Sequence, residues 1–161
     1  NLILTRKLEK ELVSRGATVY LTREDDKDLS TTTVNRKRSD LYNRAKYINK
    51  ISPNMYISIH LNSVTNSSWR GLQVFYTTKN EENKLIAETI TNHLRKNMSN
   101  VREIKKDNTY YMYKHITSPG VLIEAGFISN SNDSYLLRNK EYQDKLISSI
   151  SDSIEIYFQK K

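Results

Sequence analysis

Hydrophobic positions along this chain follow two rhythms, one helical and one extended. Leu4, Leu8 and Leu12 recur at helical spacing, and Gly16 follows as a stop signal. A second helix is predicted over 38–51, with Leu41, Ala45 and Ile48 on one side and Pro53 just beyond. A third covers 81–98, with Leu85, Ile86, Ile90 and Leu94 inward, and a last one covers 140–158, with Leu146, Ile150, Ile154 and Phe158 inward. Between them lie short β-branched or aromatic runs that read as strands: 17–22, 55–59, 71–77 and 120–123. Residues 110–113 read as an edge strand, 23–33 as a polar loop, and 99–108 as a loop with short extended pieces.

Strands alternating with helices predict an α/β fold: a mostly parallel, twisted sheet with helices on both faces, in one domain over residues 1–161. A helix at the very start, with no strand before it, is unusual for an α/β unit. The expectation is therefore of a single domain lacking its first strand.

Composition narrows the class. A chain of 161 residues fits one core and buries roughly 70% of its unfolded surface. It has no cysteine, which removes disulfides, thiolate metal sites and cysteine nucleophiles together. No run of about 18 apolar residues exists, so no membrane span is expected. The net charge of +8 is compatible with a polyanionic partner or with simple solubility. No basic stretch with regular aromatic interleaving is present, so nucleic acid is not the expected partner.

Two polar residues stand out by position. His60 follows one apolar strand and Glu124 another. In open α/β sheets, ligands bind outside the carboxyl ends of the strands, so both side chains are offered to one edge. A neutral imidazole suits a metal, and a carboxylate desolvated by Val121, Leu122 and Ile123 suits a general base. A plain capping role for either is the competing reading. His93 is expected on a solvated helix face, and the spacing of His60, His93 and His115 follows no ligand pattern. Glu24, Asp25, Asp26 and Asp28 lack the spacing and glycine of a calcium loop and read as a solvated turn. Tyr110, Tyr111 and Tyr113 are assigned to edge-strand packing rather than sugar stacking.

The stretches around the two site residues sharpen this picture. Ser58-Ile59-His60-Leu61-Asn62 resembles the SIHxN motif of the zinc-dependent N-acetylmuramoyl-L-alanine amidases, and Ile123 to Asn130 resembles their ExGFxSN motif. Leu21-Thr22-Arg23, Leu41-Tyr42-Asn43-Arg44 and Pro119 to Glu124 match further segments in the same order. Within the family, Ser68-Trp69-Arg70-Gly71, the loop 28–37 and Tyr142 to Lys145 are similar to the germination-specific branch of spore formers.

The resemblance implies a peptidoglycan amidase with one zinc ion, His60 as one ligand and Glu124 as catalytic acid/base. It implies two further ligands, a His in a DPGHGG motif and a Glu just ahead of Asn1, neither of which occurs in these residues. The 161 residues alone are therefore expected to be impaired. Asn62 is expected to hold the metal loop or meet the glycan. Arg44 is expected to bind substrate anions or, more simply, to brace loops by ion pairs. His115 lies in a loop expected to approach the substrate. The resemblance also implies an extracytoplasmic location at the cell wall, in the space where the spore cortex forms, and an accessory or activating protein. The alternative is an inactive binding or scaffold protein on the same fold.

Overall fold

The computed structural model describes residues 1–160. Leu4 and Leu8 are the buried face of α1 (Leu2–Ser14), and Gly16 ends the turn at φ +88°, a conformation glycine adopts without strain. Ala45 and Ile48 are the buried face of α2 (Arg36–Ile51). The strands are β1 (Tyr56–Asn62), β2 (Gln73–Tyr76), β3 (Lys105–Lys106) and β4 (Gly120–Phe127). The remaining helices are α3 (Glu82–Asn97), α4 (Ser131–Arg138) and α5 (Lys140–Gln159).

The strands form one sheet in the order β1-β4-β2-β3. The β1–β4 and β2–β3 pairs are parallel, and the β2–β4 pair is antiparallel. All eight residues of β4 are buried, as befits a central strand covered on both sides. Strand alternation divides its side chains between two cores. Val121, Ile123 and Ala125 join the larger core, beneath α1, α3, α4 and α5. Leu122 joins Tyr56, Phe75, Ala45, Ile48, Met112 and Tyr113 under α2 and a 3₁₀ turn at Met112–Lys114. Helices thus cover both faces, as the pattern predicts.

Several expectations change. Residues 17–22 form no strand: they run exposed or half-buried and pair with no strand among the described residues. Tyr110 to Tyr113 do not form an edge strand. They lead into the 3₁₀ turn, where Tyr113 stacks on Tyr56 at 5.7 Å, so aromatic packing overrides β-propensity. Leu85 and Phe158 point to solvent, because the buried stripes of α3 and α5 are carried by Ile86, Ile90 and Leu94 and by Leu146, Ile150, Ile154 and Tyr157. His60 and Glu124 lie inside their strands rather than beyond them, since β1 continues to Asn62 and β4 to Phe127.

Candidate active site

His60 and Glu124 are direct neighbours in the parallel β1–β4 register. Alternation puts both on the face that carries Tyr56 and Leu122, under α2 and the 3₁₀ turn. On the other side of Glu124, Gln73 of β2 is its register partner. Three polar side chains therefore stand in a row across three strands, above a row of Ser58, Leu122 and Phe75 on the same face. The ladder becomes irregular between His60 and Asn62, just past the pair. Such an irregularity re-aims side chains at the edge of a site.

Glu124 is 7% exposed, and its Oε2 is buried with no hydrogen-bond partner. Desolvation raises its carboxyl to about 7. A carboxyl so placed exchanges a proton readily near neutral pH. Burial pushes the His60 imidazole down, reinforced by the nearby Arg44 guanidinium, which favours the neutral, metal-binding form. The His60 Nε2 lies 3.0 Å from Ser58 Oγ, two residues back on the same strand face. Tyr113 closes the floor: burial pushes its phenol up, opposed by the neighbouring Ser58 hydroxyl. Gln73 Nε2 donates to Glu103 O at 3.0 Å, so that side chain is held by the backbone next to β3.

Arg44 lies near His60 but is committed to its own helix and a loop. Its Nε donates to both oxygens of Asp40 at 2.9 Å, and Nη1 donates to Thr22 Oγ1 at 3.2 Å. Asp40 Oδ1 also accepts from Leu29 N at 2.8 Å. The pair, 17% and 14% exposed, ties the loop 22–29 to α2, which is the bracing role. Arg44→Met is expected to cost about 1–3 kcal/mol of stability, and Asp40→Asn a similar amount. The double variant should cost less than the sum, read from denaturant unfolding in a double-mutant cycle.

Asn62 lies at the end of β1, where its backbone carbonyl accepts from Ile128 N at 2.8 Å and fastens the segment after β4. His115 is exposed, and the contacts found for its ring are with Tyr111 at 4.8 Å and Tyr42 at 5.9 Å. Its carbonyl accepts from Asn49 Nδ2 at 2.7 Å, so it packs against α2. His93 lies on α3, 3.5 Å from Asp152 of α5. The three histidines stand on three different elements: His60 on β1, His93 on α3 and His115 at the end of the 3₁₀ turn.

Zinc, implied by the motifs, meets a partial fit. A neutral imidazole beside an unpartnered, buried carboxylate oxygen is apt for a metal-assisted site. Among the described residues, however, no group of three or more His, Cys, Asp or Glu is gathered to hold a metal.

Four further residues at this edge have weaker sequence signals. Gln73 shows itself only through register. Asp133, at the third position of α4, accepts from Gly71 N at 2.7 Å and Phe127 N at 3.0 Å. Asn130 caps that helix, its side chain accepting from Asn132 N and Asp133 N. The Asn-x-x-Asp spacing is a helix-start signal that would have located α4. Arg102 carries no motif at all.

The fold and site define a class: a mixed α/β domain with a paired imidazole and carboxylate at its strand ends. The chain belongs to the N-acetylmuramoyl-L-alanine amidase family (Amidase_3), whose model matches residues 1–156. It is 42% identical over 155 residues to the germination-specific N-acetylmuramoyl-L-alanine amidase of Bacillus subtilis, covering 93% of this chain and 65% of that protein. It is 27% identical to the N-acetylmuramoyl-L-alanine amidase LytC of the same organism, covering 99% of this chain and 30% of that one. The chain thus spans less than two thirds of the length of these relatives. Among solved structures, it superposes on the CwlD amidase of Clostridioides difficile in complex with the GerS lipoprotein. The TM-score is 0.93 and the identity 35%, over 99% of this chain and 85% of that one.

Proposed function

We propose that this chain is the catalytic domain of a zinc-dependent amidase that cleaves peptidoglycan between N-acetylmuramic acid and L-alanine. The observation that carries the reading is the His60–Glu124 pair: a desolvated, unpartnered carboxylate directly opposite a neutral imidazole in the ladder. His60 would supply one ligand. The reading requires further donors from outside the described residues, which gather no complete set among themselves. Zinc, when bound, polarises an amide carbonyl and acidifies water.

The chain's own residues then supply the proton handling and the walls. Glu124 takes a proton from the attacking water on its buried carboxylate and returns it to the departing L-alanine nitrogen. Its raised pKa makes both transfers accessible near neutral pH. Ser58 fixes the His60 ring through Nε2, and Tyr113 and Leu122 exclude water from the floor. Asn62 holds the strand end to the segment after β4. Arg44 supports the pair by bracing α2, and His115 forms part of the outer rim.

Similarity to the germination-specific amidase supports a role in maturing the spore cortex, at the cell wall outside the cytoplasm. Similarity to the CwlD–GerS complex supports an accessory protein partner. Among the described residues, no helix is long and apolar enough to cross a membrane.

The test is release of stem peptide from purified peptidoglycan by the protein as encoded in its genome. Release should stop on chelation and return with zinc. Metal analysis showing no bound zinc, together with no release, would instead support the inactive scaffold reading.

A further inference from the structure

The segment after β1 is exposed yet firmly held. Val64 N donates to Ser129 Oγ at 3.2 Å, Asn130 Nδ2 to Ser67 O at 2.7 Å, and Gly71 N to the buried Asp133 carboxylate at 2.7 Å. Inside it, Ser68 N and Oγ both bond to Asn66 Oδ1, at 3.0 and 2.7 Å. A loop pinned at this many points presents its side chains in fixed places. What it presents is Trp69, 49% exposed.

Arg102 lies over that ring, its guanidinium carbon 4.4 Å from the Trp69 centroid and 5.6 Å from that of Phe127. Its backbone is anchored too, with its N–H donating to Leu72 O at 2.8 Å. Yet its guanidinium makes no ion pair and no hydrogen bond among the described residues. Arg23 and Arg44, by contrast, reach carboxylates. Stacking fixes the plane of the guanidinium and leaves its N–H fork unspent, which is the preorganised form that binds a carboxylate through two parallel hydrogen bonds.

Phe127 lies three residues, roughly 10 Å of strand, beyond Glu124 on β4, and Arg102 stacks over its ring. About three extended peptide residues span that distance. We propose that Trp69 and Arg102 form a subsite that receives a free carboxylate on the peptide part of the substrate, within about three residues of the cleaved bond. The proposal rests on the amidase reading for its substrate, but not for its test. A substrate with that carboxylate amidated loses the paired hydrogen bonds and is disfavoured.

Trp69 is the chain's one tryptophan, so its emission reports on this subsite without any catalytic step. The probe is a short peptide starting with L-alanine and carrying free glutamate carboxylates, compared with the same peptide as carboxamides. The free-acid peptide should shift Trp69 emission saturably, and the carboxamide should bind about 10- to 100-fold more weakly. Arg102→Gln should erase that difference, and Arg102→Lys should keep part of it. Equal affinity for the two peptides, no binding of either, or an Arg102→Gln variant that still discriminates would overturn the subsite. Failure of the amidase reading shows separately, as absence of peptide release from peptidoglycan by the unmodified protein.

Discussion

Replacing Glu124 with Gln is expected to lower amide hydrolysis by about 10²–10⁴-fold while leaving the fold intact. The amide keeps the shape of the side chain and its place in the β1–β4–β2 row, but cannot take a proton from water. Full activity in Glu124→Gln, with native far-UV circular dichroism, would sink the acid/base assignment. The unmodified protein should lose kcat/KM on the acid side, as protonation depletes the carboxylate form. In metal-free protein the same burial has a stability consequence. The folded-state pKa is raised from 4.5 to about 7, so the favourable contribution of the protonated carboxyl is fully present below 4.5 and is lost as pH rises through 7. Glu124→Gln should therefore match the parent in stability at pH 4 and exceed it at pH 8, by on the order of 2–3 kcal/mol. Denaturant unfolding at the two pH values reads this directly.

The pairing behind that prediction is half legible in the sequence. Runs such as Val121-Leu122-Ile123 announce a buried strand, and the residue after such a run is a natural site candidate. What a single chain cannot reveal is register. That His60 faces Glu124, and that Gln73 stands on its other side, depends on which strands pair, a long-range choice with no local signal. The helical stripes of α3 and α5 were legible because period and burial agree over four turns; only Leu85 and Phe158, at the margins of those stripes, turned outward. The failures at 17–22 and 110–113 share one cause. β-Propensity describes fit to a pleated surface, and neither segment pairs with a strand among the described residues; at 110–113 the tyrosines pack instead on Phe75 and Tyr56. Arg102 is invisible for a different reason: its distinction is its place against both Trp69 and Phe127, which only packing reveals.

Asp133→Ala is expected to cost about 2–5 kcal/mol, the largest stability loss anticipated for a polar side chain here. Its Oδ2 accepts two backbone N–H groups, from Gly71 and Phe127, in a position only 5% exposed. Removing it strands both donors away from water, at about 1–3 kcal/mol each. The chain cannot relax easily around the loss. Gly71 has φ +99°, and a Cβ there would stand 2.2 Å from Asn100 O, so the loop entering β2 is already confined to one path. Asp133→Asn keeps one acceptor oxygen and should recover part of the stability. For a domain of this size the alanine variant should melt roughly 5–15 °C lower. Its consequence for function is specific. Gly71 follows Trp69 and Arg70, and Phe127 ends the strand that carries Glu124, so one carboxylate couples the rim to that strand. Well below its lowered melting temperature, Asp133→Ala should therefore show raised mobility of Trp69, read as a drop in fluorescence anisotropy, which loss of global stability alone would not produce. A variant that melts lower but leaves Trp69 as rigid as before would mean that the contacts at Val64 and Ser67 suffice to hold the loop.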